Sequence, residues 1–244
     1  MSVVQPGRAV ALTYGLVLKQ LVTRGRVAAL TFVGGVVVLV AILVGRSESD
    51  VDELERGVQL ISNLGFTMVV PVVSLVFASA ALGDMREDGT LVYLWLRPMD
   101  RWPVVVGSWL AAITVSLPIT LVPLVISSVA VDGGSQLTVA TVLAGTTGVL
   151  SYSALFVLVG LLLKNPIVWG LGYILIWEGL AAQFFGSLSR LAIRGYTRSI
   201  ITSRTGVDLE LADFSMTVAI VVPLAVTVVA IALGAARLQS MEVA

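Results

Sequence analysis

The run VAALTFVGGVVVLVAILVG, residues 27–45, carries no charged side chain and is closed by Arg46. A helix needs about 20 such residues to cross a hydrocarbon core about 30 Å thick. The same kind of run recurs along the chain, and six spans are expected, at about 27–45, 59–83, 104–130, 137–163, 167–185 and 215–236. Composition supports this over a soluble helical core. Of 244 residues, 57% are hydrophobic and only 12% charged, against about 25% charged in ordinary soluble domains. Mean hydropathy is +1.01. The expected fold is an all-α integral membrane protein forming a single transmembrane domain. Pro71 falls inside the second span, and Pro118 and Pro123 inside the third. Membrane helices tolerate this because neighbours re-satisfy the freed carbonyls. Pro166 suits the first turn of the fifth span, where its missing N–H costs little.

About 26 residues precede the first span, more than a signal peptide's charged region needs, and no small-residue cleavage site follows. Val10, Tyr14, Val17, Leu18 and Leu21 recur at helical spacing, with Arg8, Thr13, Lys19, Gln20 and Arg24 on the other side. This predicts an interfacial amphipathic helix over about 8–24. Placing both termini in the cytoplasm puts Arg8, Lys19, Arg24, Arg26, Arg86, Arg97, Arg101, Lys164 and Arg237 inside. It leaves Arg46, Arg56, Arg190, Arg194, Arg198 and Arg204 outside, a bias of the sign the positive-inside rule requires.

Between spans two and three stands GDMREDGTLVYLWLRPMDRWP, residues 83–103. Gly89 ends span two and Thr90 can cap a new helix. LVYLWLR gives about two turns with Leu91, Leu94 and Trp95 on one side. Pro98 stops it, because the residue before a proline is pushed out of the helical region. Asp100 can cap span three. The pattern fits either a docking helix with an aromatic knob or a helix lying on lipid, held by Tyr93 and Trp95.

The inventory excludes much chemistry. With no cysteine and no histidine, disulfides, thiolate metal sites, histidine triads and histidine-ligated zinc or haem have no ligands. No cofactor is expected. Zero formal net charge gives no sign of nucleic-acid binding. Glu178 is the one carboxylate within or near an apolar run. It lies about 18 Å along a regular helix from Pro166, so it should face protein or a water-filled path. It is either a structural tie, with Arg190 or Arg194 folding back toward it, or part of a translocation path or outer gate. Arg190, Arg194 and Arg198 share one helical face, with Ile193, Tyr196 and Ile200 roughly opposite. That predicts an external interfacial helix before span six, whose arginines are simply solvated or hold anionic headgroups or cargo. An intramembrane enzyme would need several polar groups at one depth. A secondary transporter would show inverted repeats and midplane charges. A membrane scaffold would not need the capped connector.

The stretch REDGTLVYLWLRPMDRWPVVVGSW resembles the signature of type-two ABC exporter permeases. In these, an acidic cluster, Gly-Thr-Leu, a short apolar helix, a proline and a basic residue join spans two and three. Arg86, Glu87, Asp88, Gly89, Thr90, Leu91, Pro98 and Arg101 match it, while Met85 replaces a glutamate common in the family. YILIWEGLAAQFFGSLSRLAIRGYTRSI is also similar to a subgroup of these permeases. The resemblance implies no nucleotide site in this chain, and no G-x-x-x-x-G-K-[ST] loop occurs. It implies a separate ATP-binding ABC subunit, a second permease copy in a homodimer or related heterodimer, and residence in the cell's inner or plasma membrane. The connector, with Leu94, Trp95 and Arg97, would be the coupling helix at the ATPase interface. The cargo would be a hydrophobic or amphiphilic compound such as a drug, lipid or glycoconjugate.

Overall fold

The computed structural model describes residues 5–47, 51–89, 100–181 and 192–240. All its regular structure is helical. Helix α1 is Pro6–Leu21 and α2 is Arg24–Gly45. Helix α3 is one continuous rod, Glu53–Glu87. Helix α4 is Trp102–Ala130 and α5 is Gly134–Leu162. Helix α6 is Pro166–Gly172, continued by a wider π-helical stretch, Tyr173–Ala181. Helix α7 is Ile193–Thr205 and α8 is Met216–Ser240. Five of these, α2, α3, α4, α5 and α8, are long and apolar enough to cross a membrane. The chain is thus a membrane-embedded helical protein. The start of the fifth expected span is α6. The remainder of that span, 182–185, lies outside the described residues.

Helices α2 to α5 alternate in direction and α8 runs parallel to α5, so one end of the bundle gathers α1, the start of α2, the end of α3, the start of α4 and the ends of α5 and α8. It is called the α1 end below. An ion pair there, Arg26 to Asp84 at 2.8 Å, ties α2 to α3. The innermost pair is α3 with α5. Ser79 and Gly83 on α3 meet Gly160 on α5, and Val70 on α3 lies over Gly148, all buried. A Cβ on Gly160 would strike the Ser79 carbonyl. Small residues allow this close approach, and in lipid such packing is a main source of helix association. Helix α2 is the opposite case. Only Leu30, Gly34, Val37 and Ala41 are buried, in a strip facing α4, where Gly34 sits under Pro123. Phe32, Leu39 and Leu43 are exposed, as lipid allows.

Three sequence expectations change. The span expected at 59–83 begins earlier, because DELERG of the expected outer loop is already helical from Glu53. Glu53 and Glu55 fall in its first turn, where the helix dipole favours acids. The buried row of α1 is Ala9, Thr13, Val17 and Leu21; it keeps Val17 and Leu21 of the expected face but takes Ala9 and Thr13 in place of Val10 and Tyr14. The cause is α4: Gly107 leaves room for Thr13 and the Val10 carbonyl, so α1 lies against protein along that row. The segment expected as an external interfacial helix is buried from Ile193 through Ile201 on every side, so its two faces do not separate water from lipid. It packs on α5, where Gly148 accommodates Thr197.

Candidate functional site

Helix α7 is a 13-residue element wedged between the π stretch of α6 and the far half of the bundle. Its N-cap, Ala192, offers no side-chain acceptor. The acceptor comes instead from Glu178. That side chain is 2% exposed. Its Oε1 accepts the Ile193 N–H at 3.0 Å and its Oε2 accepts the Arg194 N–H at 3.1 Å. A carboxylate on the free N–H groups of a first turn satisfies them and complements the positive end of the helix. The Tyr173 hydroxyl donates to Oε1 at 2.9 Å. Glu178 stands five positions after Tyr173, the spacing at which a π-helix makes its i→i+5 bonds. Arg194 returns to the same residue, but its Nη1 donates to the Glu178 carbonyl at 3.2 Å, not to the carboxylate. Beside this knot runs an aromatic row. Tyr152 stacks on Phe156 at 6.0 Å, and Phe156 meets Tyr173 edge-on at 6.2 Å. The Tyr152 hydroxyl is buried and makes no hydrogen bond of ordinary length among the described residues.

One turn along α7, Arg198 is 3% exposed. Its Nη2 donates to Asn63 Oδ1 at 2.7 Å and its Nη1 to the Glu210 carbonyl at 3.2 Å. Burial first, and the Arg194 charge second, pull this guanidinium down to about 10, so it stays charged near neutral pH. Asn63 belongs to a second π stretch, Ile61–Val69 within α3. There the Thr67 hydroxyl reaches back five residues to the Ser62 carbonyl at 3.0 Å. The outer end of α7 is fixed as well. Tyr196 stacks on Phe214 at 4.4 Å, Ser199 Oγ accepts the Phe214 N–H at 3.2 Å, and Gly206 closes the helix at φ 74°. So α7 bridges the two π-helical stretches among the described residues.

The second region is the base of the connector at the α1 end. Arg86 Nη1 donates to the Leu161 carbonyl at 3.1 Å, at the last turn of α5. Arg101 Nη1 donates to the Leu238 and Gln239 carbonyls at 3.0 and 2.6 Å, in the last turn of α8. Each arginine supplies donors to a helix end whose carbonyls lack intrahelical partners. Both were expected at a partner interface, and both make contacts within the chain. Glu87, Asp88 and Gly89 are exposed, and Gly89 takes φ 66°, which suits glycine alone at low cost. Thr90, Leu91, Leu94, Trp95, Arg97 and Pro98 lie outside the described residues, as does Arg190.

The structure therefore brings Glu178 and Arg194 together and sets Arg198 one turn away. It keeps Arg86 and Arg101 on separate helix ends. No family model matches the chain, and no curated protein matches it. Sequence reading missed Tyr173, Asn63 and Tyr152. For Asn63 a signal existed, since it is one of two asparagines in the chain and lies inside an apolar run. For Tyr173 there was none, because a five-residue spacing has no meaning on an α-helix.

Proposed function

We propose that this chain is the membrane-spanning subunit of an ATP-driven transporter that moves a hydrophobic or amphiphilic compound by alternating access. In this reading α6, its π stretch and residues up to 185 form a sixth span, and the α1 end faces the cytoplasm. A separate ATP-binding subunit seats the helix at 90–99 and hydrolyses ATP. Two permease copies pair, each on one ATPase.

The observation that supports this most is the bracing of the connector. Its two described stubs are tied to other helices, Arg86 to α5 and Arg101 to α8, with Asp84 tied to α2. A push on residues 90–99 therefore reaches five long helices through direct contacts. A force that must rock a bundle between two states needs such stiff connections. The resemblance of the connector to the type-two exporter signature supplies the identity of the motor.

The chain has no cysteine, so a single Leu94→Cys carries the test. Crosslinking at that position in native membranes should capture a subunit containing a phosphate-binding loop and should depend on Trp95. Crosslinking only to lipid-directed reagents would favour a helix resting on the bilayer and would remove the coupling role.

A further inference from the structure

Helix α1 lies along α4 on one row and leaves another row uncovered. Thr13, expected on the polar side, is buried where α1 meets Gly107. Gln20 donates to the Ala80 carbonyl of α3 at 3.4 Å, and the Tyr14 hydroxyl reaches Thr114 of α4 at 3.4 Å. These contacts leave Arg8, Leu12, Leu16 and Lys19 exposed. The four stand at i, i+4, i+8 and i+11, so they form one stripe along the helix. Leu12 is 44% exposed and Leu16 57%. The stripe has two leucines at its centre and a cation at each end, about 16 Å apart at 1.5 Å per residue. Arg24, exposed at the start of α2, adds a third charge beyond Lys19. None of these three cations has an ion pair or hydrogen bond among the described residues, and residues 1–47 contain no aspartate or glutamate. Asp84, the nearest acid on α3, is held by Arg26.

We propose that this stripe is a docking surface for anionic phospholipid headgroups in the leaflet at the α1 end. The chain is membrane-embedded, so the exposed leucines sink into the acyl boundary. Arg8 and Lys19 lie on the same side of the helix as those leucines and cannot retreat to bulk water when the leucines are covered. Their long stems carry the charges up to the phosphate level, where an anionic headgroup attracts each of them. A zwitterionic headgroup brings its own ammonium beside the cations and gains less. The two ends of the stripe are further apart than a Debye length at physiological salt, so they hold separate headgroups and their effects add. Because Gly107 lets α1 sit close on α4, lipid that holds α1 also holds the start of α4. The surface is independent of the transport reading and goes beyond it.

The chain has no cysteine, and a Cβ at Gly15, beside the stripe, would meet nothing within 4 Å. A Gly15→Cys chain can therefore carry one coumarin label. The intact labelled chain is placed in phosphatidylcholine nanodiscs with a trace of phosphatidylglycerol or phosphatidylcholine bearing NBD on an acyl chain. Energy transfer reads how far each lipid is enriched at α1. The phosphatidylglycerol probe should be enriched over the phosphatidylcholine probe, be displaced by unlabelled phosphatidylglycerol, and lose its advantage in high salt. Arg8→Gln and Lys19→Gln should each lower that advantage by about threefold to fivefold, and the two together should remove most of it. Lys164 is an exposed cation at the same end, in the connection between α5 and α6, and Lys164→Gln should change nothing. All three positions are exposed, and an unchanged Tm verifies that the variants fold. Equal transfer to both probes, or an advantage that survives the double substitution, overturns the proposal. An equal loss in Lys164→Gln also overturns it, because the whole end and not the stripe would then attract the lipid. A disulfide-linked dimer on oxidation of the unlabelled Gly15→Cys chain in membranes would show that a second copy covers the stripe, and the proposal would be wrong. No ATP and no ATP-binding subunit enter the assay, so either result leaves the transport reading standing.

Discussion

Replacing Glu178 tests whether α7 is held by geometry or by charge. Glu178→Ala strips three donors of their acceptor at once: the Ile193 and Arg194 N–H groups and the Tyr173 hydroxyl. A buried donor left unpaired costs about 1–3 kcal/mol, and loss of a helix N-terminal cap costs about 1 kcal/mol within that range. Some relief comes from no longer burying a carboxylate, and the Arg194 guanidinium loses a nearby negative group. A net loss of about 3 kcal/mol is expected, which for a chain of this size lowers Tm by about 6–12 °C. Glu178→Gln keeps one acceptor oxygen and turns an NH2 toward the other backbone donor. It should lose about 1 kcal/mol, or about 2–4 °C. Intrinsic tryptophan fluorescence during thermal unfolding in nanodiscs reads both, and transport by the assembled complex reads the gate. If Glu178 is only a tie, the glutamine variant transports normally. If its charge belongs to the cargo path, that variant assembles yet transports poorly. Identical Tm for wild type, Gln and Ala would show that the carboxylate does not hold α7, whatever the distances suggest.

Other outcomes follow from the same contacts. Asn63→Ala removes the acceptor of a buried charged donor, so it should lower Tm by about 4–8 °C, a loss of about 2 kcal/mol, and Asn63→Asp should restore most of it. Gly160→Ala pushes a methyl group into the Ser79 backbone carbonyl; it should destabilise the α3–α5 pair by about 1–3 kcal/mol, seen as earlier unfolding in detergent. Arg101→Ala should cost only about 1 kcal/mol of stability but should separate hydrolysis from transport in the assembled complex. Normal coupling in that variant would show that bracing to α8 is dispensable.

Much of this architecture was legible because lipid makes the rule simple. Apolar runs without charge became α2, α4, α5 and α8 within a few residues of their expected bounds, and Pro166 marks the start of α6 as its missing N–H predicts. What was not legible depended on tertiary partners. The first half of the buried row of α1 is Ala9 and Thr13 in place of Val10 and Tyr14, because Gly107 in a distant helix decides which side chains find room. The segment around Arg194 and Arg198 reads as amphipathic from spacing alone, yet α5, α8 and the π stretches enclose it and give its arginines carbonyl and amide acceptors. Glu178 was visible as an anomaly in an apolar run. Its role as a cap for a helix fifteen residues on was not, since nothing in the sequence places Ala192 at an unsatisfied helix start. Arg86 and Arg101 match a connector motif by type and spacing, but sequence cannot show that their guanidiniums are engaged with the ends of α5 and α8.

The most direct test of the coupling proposal is cargo accumulation in sealed vesicles containing this chain and its copurified ATP-binding subunit, with ATP or with an ion gradient as the only energy source. ATP should drive accumulation, a non-hydrolysable analogue should not, and Trp95→Ala should abolish the drive while both subunits remain in the membrane. Accumulation powered by the gradient alone, by this chain in the absence of any nucleotide-binding subunit, would contradict it.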